Sequence, residues 1–187
     1  MLKAIKFDKK YSYNEYLKLE KETHEKHDFY FGEVYNMPGG TIKHNELIQE
    51  IIILFRKKNK KKCKILFNDV KLELIPDEYF VYPDLMLTCD KDDLKNNKDT
   101  IIKKPFAIVE VLSKSTEMYD RNVKLKYYLK ISSLKYYVLV SQEAIRVEVY
   151  ERVNSHWEYR FFEKEDEIIK FKQLDFNIFV KDIYQNI

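Results

Sequence analysis

Two acidic residues stand in stretches that are otherwise apolar. Glu110 interrupts the run 106–112, and Asp84 follows Pro83 within the stretch 81–87. Burying an unpaired carboxylate is costly, so each should be paired or should bind a cation. Two carboxylates on neighbouring strands suit Mg²⁺ or Mn²⁺, which take one or two carboxylates together with waters and a substrate phosphate. Because such an ion polarises a phosphodiester and lowers the pKa of its water, the pair predicts phosphodiester hydrolysis.

Each carboxylate also has a purely structural interpretation. Glu110 would be explained equally well by a salt bridge to a lysine or by a strand end that faces solvent. Asp84 would be explained as a turn residue that binds nothing. Pro83 has no N–H for a β-ladder, so it marks an edge, a bulge or the beginning of a strand. A carboxylate at such an irregular point would be presented beside the central strand, which favours the metal-site interpretation of the two residues together.

The composition excludes several classes of protein. The length of 187 residues suits a single domain spanning 1–187, and 45% hydrophobic with 35% charged residues is ordinary for a globular chain. No run approaches about 18 consecutive apolar residues, and residues 1–6 lack an apolar signal-peptide stretch, so we expect no membrane span. Cys63 and Cys89 are too few for a disulfide framework, and no CxxC or HExxH motif occurs. We therefore expect a cytoplasmic protein.

A lysine cluster is the main feature of the charge distribution, because the net charge of +3 says little about any partner. The cluster would form a local positive patch able to meet phosphate. The alternative, which we favour, is a solvated helix end where cations interact well with the backbone dipole. Its members are Lys57, Lys58, Lys60, Lys61, Lys62 and Lys64.

The first half of the chain predicts elements of both kinds. Apolar spacing indicates a short amphipathic helix over 13–25 and a longer helix that begins after 38–40 and runs to about Lys58. Between them, residues 29–37 read as two short strands that turn at Gly32, an N-terminal β-hairpin. Extended apolar segments follow, and their pattern predicts strands over 65–67, 70–75 and 81–88, the last two paired as a hairpin, and then a polar loop over 91–104.

The second half predicts a buried parallel crossover. The run 106–112 is typical of a central strand covered on both faces. Ser113 and 115–116 would cap a helix that continues to about Ile131, and 136–140 is another buried strand. A strand, a helix and a strand in one sheet imply a right-handed parallel crossover. Alternation at 145–149 and 157–161, with Asn154-Ser155 between, predicts a C-terminal antiparallel hairpin. The predicted fold is α/β, with a central mixed sheet flanked by helices.

The order and spacing of these motifs resemble those of the Uma family of restriction-endonuclease-like proteins, within the PD-(D/E)XK nuclease superfamily. Glu110 follows Asp84 by 26 positions, and the resemblance covers nearly the whole chain. It implies a restriction-endonuclease-like core. The matching segments are 32–37, 44–45, 82–85, 108–116, 120–128, 134–140 and 147–150.

The resemblance implies a set of site residues. Asp84 and Glu110 would hold Mg²⁺ or Mn²⁺, and Glu33 would be an additional acidic member. A strict E-x-K motif would place lysine at 112, but this chain has Leu112. The family likeness points instead to Lys124 on the following helix, whose long stem would return its ammonium over the end of the strand.

The predicted helix offers companions and competitors for that lysine. Asp120, Lys124 and Tyr128 are spaced i, i+4 and i+8, so they share one helix face and could line one cleft. Lys126 lies about 200° around the helix from Lys124 and is the weaker candidate. Lys114 is a third possibility because it is close to Glu110 in sequence. Without the resemblance, Lys124 and Asp120 would be an ordinary exposed ion pair, and Tyr128 is better explained by packing.

Three functions remain open at this stage. The first is a metal-dependent endonuclease that hydrolyses DNA, with Lys124 activating water or offsetting negative charge and Glu33 tuning the metal site or orienting the water. His44 would be a phosphate or supporting contact, although an ordinary hydrogen-bonded histidine near a helix start explains it better. The second is a catalytically inactive domain that keeps the fold and binds DNA or a protein. The third is a structural protein whose acidic residues form ion pairs. Because enzymes that cut both DNA strands often act as dimers, the hairpin around Trp157 would be either a homodimer interface or core packing.

Overall fold

The computed structural model describes residues 9–23, 25–37, 39–61 and 63–187. The N-terminal residues 1–6, Pro38 and Lys62 of the sequence predictions lie outside these ranges. Helices and strands alternate along the chain in the following order: α1 (Tyr13–Glu22), β1 (His27–Tyr30), β2 (Glu33–Asn36), α2 (Ile42–Lys58), β3 (Lys64–Phe67), β4 (Lys71–Ile75), β5 (Tyr79–Val81), β6 (Leu85–Thr88), β7 (Ile101–Ile102), β8 (Ala107–Leu112), a π-helical turn (Tyr119–Lys124), α3 (Leu125–Tyr128), β9 (Tyr136–Ser141), β10 (Val147–Val153), β11 (His156–Phe162), β12 (Ile168–Phe171), a 3₁₀ turn (Lys172–Leu174), β13 (Phe176–Phe179) and α4 (Val180–Tyr184).

A six-stranded mixed sheet forms the centre of the fold, in the order β11-β10-β9-β8-β6-β3. β8 and β9 are parallel, and the other neighbouring pairs are antiparallel. All six residues of β8 are buried, as its apolar sequence predicts for a strand covered on both faces. The predicted α/β architecture with a central mixed sheet and a C-terminal antiparallel hairpin is therefore confirmed.

The connection from β8 to β9 is helical, as predicted, but it is not a regular α-helix. A π turn over Tyr119–Lys124 precedes only one turn of α-helix over Leu125–Tyr128. Single π turns inside helices are rare and occur frequently at functional sites. Ser113 supports the beginning of this segment, because its Oγ accepts a hydrogen bond from the Thr116 N–H at 3.2 Å.

A second, five-stranded sheet corrects one strand prediction. Its order is β2-β1-β5-β4-β7, and the predicted N-terminal hairpin β1–β2 forms one edge. The single strand predicted over 81–88 is in fact two strands, since β5 pairs with β4 whereas β6 enters the central sheet. The break falls at Pro83, whose missing N–H ends the ladder. The loop predicted over 91–104 also contains the short strand β7.

Two apolar layers cover the central sheet. On one face, α2 packs with α4 and the β12–β13 hairpin, and Phe55 contacts the rings of Phe171 and Phe176. On the other face, the crossover segment and the second sheet bury Tyr128 and Tyr137. The layers hold β8 from both sides, so the carboxyl end of this strand has a fixed position. The arrangement explains why a carboxylate on β8 is removed from solvent.

The two cysteines require a correction. Cys63 and Cys89 form a disulfide, whereas the sequence suggested no disulfide framework. They flank the paired residues Lys64 and Thr88 of β3 and β6, so the antiparallel register brings them together. Within the described ranges, no helix combines the length and the apolar character needed to cross a bilayer.

Candidate active site

Asp84 lies at the junction where the chain passes from one sheet to the other. The junction is fixed on its N-terminal side, because the Tyr82 N–H donates to Asp28 Oδ1 at 3.1 Å. The carboxylate of Asp84 reaches β8, where its Oδ2 accepts a hydrogen bond of 2.7 Å from the Val111 N–H. The sheet crossing therefore places an acidic side chain directly beside the residue that follows Glu110.

Glu110 is buried, with 2% of its surface exposed, and is surrounded by donors. Its Oε1 accepts from Lys124 Nζ at 2.9 Å and from the Tyr128 hydroxyl at 2.8 Å. Its Oε2 accepts from the backbone N–H of Asp84 at 3.2 Å, which ties the Glu110 carboxylate to the backbone of the other predicted acidic residue. Burial raises the pKa of Glu110 to about 8, with Asp120 and Asp84 adding to the increase and the Lys124 charge opposing it.

Lys124 bridges two buried carboxylates from the π turn. Its Nζ lies 2.9 Å from Glu110 Oε1 and 2.9 Å from Asp120 Oδ1. Burial favours the neutral amine, but Asp120 and Glu110 outweigh it, so the pKa of Lys124 lies well above its usual value. Lys124 is therefore a permanent cation at neutral pH. The three side chains that were predicted to share a helix face do lie together. Lys124 and Tyr128 contact Glu110, and Asp120 contacts Lys124.

His44 approaches the other side of Asp84 from the first turn of α2. Thr41 caps this helix, since its hydroxyl accepts from the His44 N–H at 3.1 Å, and the imidazole Nε2 lies 3.2 Å from Asp84 Oδ2. Burial lowers the pKa of His44, but the hydrogen bond and the negative charge of Asp84 raise it above the usual value overall. A side chain at Gly40 would meet His44 Nδ1 at 2.8 Å, so the ring depends on a glycine there. His44 therefore contacts a predicted site residue, and its role as a supporting or phosphate contact stays a prediction.

An open cavity of about 800 Å³ gives access to these groups. It lies between the N-terminal hairpin, the beginning of α2 and the turn after β8. Most of the residues that line it carry polar or charged side chains, which can hydrogen-bond a charged, hydrated ligand. The lining includes Asn36, Thr41, His44, Asn45, Tyr82, Pro83, Asp84, Glu110, Ser113, Lys114, Ser115, Thr116, Asp120, Lys124, Gln142 and Glu143.

Three other predicted site residues lie outside the cavity lining or at its exposed rim. Glu33 is not among the cavity-lining residues, and its carboxylate accepts a hydrogen bond from the Tyr35 hydroxyl on the same strand. Lys126 is exposed and also lies outside the lining, as its position on the helix predicts. Lys114 lines the cavity, but its Nζ is exposed and lies 3.3 Å from Glu143.

The lysine cluster lies at the far end of α2 from the cavity. Lys57 and Lys58 occupy the last turn of a 17-residue helix, about 25 Å from its first turn. Beyond the helix, Lys60 pairs with Asp175 at 3.0 Å. This arrangement fits the solvated helix end that the sequence favoured over a phosphate site.

Asp28 is an acidic neighbour of the site that the sequence did not reveal. It is buried on β1, holds the Tyr82 N–H, and interacts electrostatically with Lys124. Burial raises its pKa to about 6, against the opposing effects of Lys124 and the Tyr82 N–H. No sequence prediction covered it, because the predicted hairpin began at Phe29, one residue later.

The carboxylates fit a divalent cation that keeps most of its own water. Asp84 and Glu110 contribute hard oxygen ligands at the cavity, and one or two carboxylates suffice for Mg²⁺. In the described part of the chain, no group of three His, Cys, Asp or Glu side chains could hold a metal. Carboxylate oxygens are the kind of ligand that Mg²⁺ and Mn²⁺ take in proteins, whereas a closed zinc site needs four protein ligands.

Comparisons with known proteins agree with this fold. Two proteins of Synechocystis are similar in sequence: slr1290 is 34% identical over 144 residues, covering 76% of this chain and 75% of its own length, and sll1609 is 31% identical over 140 residues, covering 74% and 79%. A crystal structure from Anabaena variabilis, described as "a putative nuclease belonging to DUF820", superposes with a TM-score of 0.74 at 17% identity over 94% of this chain and 98% of that one. At this low sequence identity, the superposition supports the fold alone. Residues 13–178 match the Uma2 family, described as "Putative restriction endonuclease", and the chain therefore belongs to that nuclease-like family.

Proposed function

We propose that this protein is a metal-dependent endonuclease that hydrolyses DNA phosphodiester bonds. The observation that carries the proposal is the pairing of Asp84 with Glu110 at the base of an open cavity, where a buried lysine cation contacts Glu110. Family membership supports a nuclease-like activity. We also propose that residues 1–187 act as one nuclease-like domain, since strands of both sheets meet at this cavity.

Asp84 and Glu110 would hold the divalent ion. Mg²⁺ or Mn²⁺ bound there would polarise the phosphodiester and lower the pKa of a bound water. The Val111 N–H and His44 fix the orientation of the Asp84 carboxylate. The Asp84 N–H does the same for Glu110. Both ligands are therefore oriented before any ion arrives, which reduces the cost of organising the site.

Lys124 would act as a fixed positive charge. A lysine with a pKa well above its usual value does not accept a proton at neutral pH, so a general-base role is disfavoured. Its ammonium would stabilise the negative charge that develops on the phosphate. Asp120 holds the ammonium on the side opposite Glu110 and keeps it beside β8. The missing lysine at position 112 is thus replaced from the π turn.

Asp28, rather than Glu33, is the N-terminal acidic residue that belongs to this assembly. It fixes the junction before Asp84 and lies within electrostatic range of Lys124. We assign it a positioning role, because it is buried and absent from the cavity lining. Glu33 keeps no role in the proposed reaction.

A second candidate function is a DNA-binding or protein-binding domain without turnover. The observation that favours it is the saturation of Glu110, whose two oxygens already accept three hydrogen bonds from Lys124, Tyr128 and Asp84. A cation would have to compete with these donors for the carboxylate. An inactive domain would bind DNA with an affinity that falls as salt rises, because phosphate contacts release counterions.

Plasmid cleavage with Mg²⁺ or Mn²⁺ tests the proposal. The wild type should nick or linearise DNA, Asp84→Ala and Glu110→Ala should abolish cleavage, and Lys124→Met should reduce it by about 100-fold or more. The matched control is Glu143→Gln, which removes a carboxylate at an exposed position of the same cavity. Salt-dependent DNA binding without cleavage would favour the second candidate. Cleavage that persists in both alanine variants would refute the assigned site.

A further inference from the structure

β11 is an exposed edge of the central sheet. In the described part of the chain this seven-residue strand pairs only with β10, and its register runs from Val147–Phe162 to Val153–His156 without a bulge. Natural edge strands are usually protected by proline, lysine, bulges or a covering segment. β11 contains neither proline nor lysine, and Tyr159 and Phe161 are 46% and 51% exposed. Such an edge is a template for another strand.

The turn that precedes β11 determines which backbone groups are available. The two residues Asn154 and Ser155 close the hairpin on the pair Val153–His156, which is therefore a hydrogen-bonded pair. Hydrogen-bonded and non-hydrogen-bonded pairs alternate along an antiparallel ladder. It follows that the backbone N–H and C=O groups of three alternate residues point away from β10, namely Trp157, Tyr159 and Phe161.

The sequence of β11 is complementary to itself in one register. With Tyr159 opposite Tyr159 of a second copy, all seven residues pair, and the outward backbone groups of the two strands meet. The same register sets Glu158 opposite Arg160 on both sides of the centre, and Trp157 opposite Phe161. Opposite charges and aromatic side chains are favourable cross-strand pairs.

Neighbouring registers lack these properties. Centring the pair on Glu158 sets two carboxylates opposite each other, and centring it on Arg160 sets two guanidinium groups opposite each other. Both also pair only five of the seven residues and join the outward backbone groups at two pairs of positions instead of three. We propose that a second copy of this chain binds β11 antiparallel about Tyr159, which joins two central sheets in a twofold dimer.

This dimer leaves each candidate active site within one chain. β8 lies three strands away from β11 in the sheet order, so no residue of a second copy is needed beside Asp84 or Glu110. The proposal is therefore independent of the proposed hydrolysis, and either can fail without the other. In this dimer Trp157 takes part in both core packing and the interface. Its side chain packs inward, with Nε1 donating to the Leu129 carbonyl at 3.1 Å, and its backbone groups face the edge.

Sedimentation velocity of the full chain over a range of concentrations tests the interface. We expect a reversible dimer in the wild type. Glu158→Arg should raise the dimer dissociation constant at least about tenfold, because it replaces two attractive pairs by two repulsive ones. Glu22→Arg makes the same charge change at an exposed position of α1 and should leave the constant unchanged. A monomer at every concentration, or equal effects of the two variants, would overturn the proposal.

A cross-linking experiment tests the register itself. Directly opposed, hydrogen-bonded residues have Cα atoms about 5.5 Å apart, a distance that a disulfide spans. Tyr159→Cys should therefore form a covalent dimer under mild oxidation, whereas Ser155→Cys in the turn should not. Cys63 and Cys89 are already bonded to each other and provide no competing thiol. Equal cross-linking of both variants, or cross-linking of Ser155→Cys alone, would rule out pairing about Tyr159.

Discussion

Replacing Lys124 by methionine is the most direct test of the electrostatics of the site. The change keeps a side chain of similar length but removes the cation that lies 2.9 Å from both Glu110 and Asp120. Removing one partner of a buried ion pair typically costs about 3–5 kcal/mol, because the remaining charge stays buried and uncompensated. The exposed neighbour Lys126 provides a matched control, and Lys126→Met should change the free energy of unfolding by less than about 0.5 kcal/mol.

The cost should depend on pH in a defined direction. Glu110 has a folded pKa of about 8, above its usual value of 4.5, so its contribution to stability falls as pH rises from about 4.5 to 8. Lys124 opposes that increase, and its loss should raise the carboxyl pKa further and extend the fall to higher pH. Lys124 itself, with a raised pKa, stays charged below its usual value of 10.5 and does not titrate in this window. The difference between wild type and Lys124→Met should therefore be larger at pH 9 than at pH 6.

Urea unfolding, followed by the fluorescence of Trp157, measures the loss of unfolding free energy and its dependence on pH. We expect a loss of about 3–5 kcal/mol for Lys124→Met at pH 9 and a smaller loss at pH 6, where protonated Glu110 leaves less charge unpaired. Equal losses for Lys124→Met and Lys126→Met would show that the bridge contributes nothing. A loss that is greater at pH 6 than at pH 9 would refute the assignment of Glu110 as the titrating partner.

Three further predictions concern the carboxylates and the disulfide. Asp84→Asn should abolish cleavage yet change the free energy of unfolding without metal by less than about 1 kcal/mol, since an amide oxygen still accepts from Val111; a loss of several kcal/mol in urea unfolding would make Asp84 a structural ion-pair member. Mn²⁺ affinity should increase between pH 6 and pH 8, because binding must displace a proton from Glu110; calorimetry in buffers of different ionisation enthalpy measures that proton, and a pH-independent affinity would contradict it. Reduction of the Cys63–Cys89 disulfide should lower the free energy of unfolding by about 3 kcal/mol for a loop of this length. Urea unfolding with and without dithiothreitol measures the loss, and the double serine variant should not respond to the reductant.

Much of the fold could be predicted because its elements carry local signals. The apolar sequence of β8 predicts a strand buried on both faces, and the alternation around Asn154-Ser155 predicts the β10–β11 hairpin. These patterns follow from periodicity alone, so they do not depend on knowing the neighbours. The anomaly at Glu110 was visible for the same reason, since a carboxylate stands out in a strand with no other polar residue.

The sequence could not predict the division of the segment 81–88 between two sheets. Both parts are apolar and extended, and only pairing distinguishes them, since β5 joins β4 and β6 joins β8. Pro83 indicated an irregularity without showing which partner each side would find. The same limit applies to Asp28, whose role depends on a hydrogen bond to Tyr82, 54 residues away.

The sequence by itself determined which residue types are present and which strands are buried, including the acidic pair and the helix face of Asp120, Lys124 and Tyr128. Only the tertiary structure decided that Lys124 bridges two buried carboxylates, that Asp28 holds the backbone just before Asp84, and that the cysteines meet. The physical reason is that local periodicity fixes which face of an element is buried. The pKa of a buried charge and the identity of its partner depend on contacts between residues that are distant in the chain.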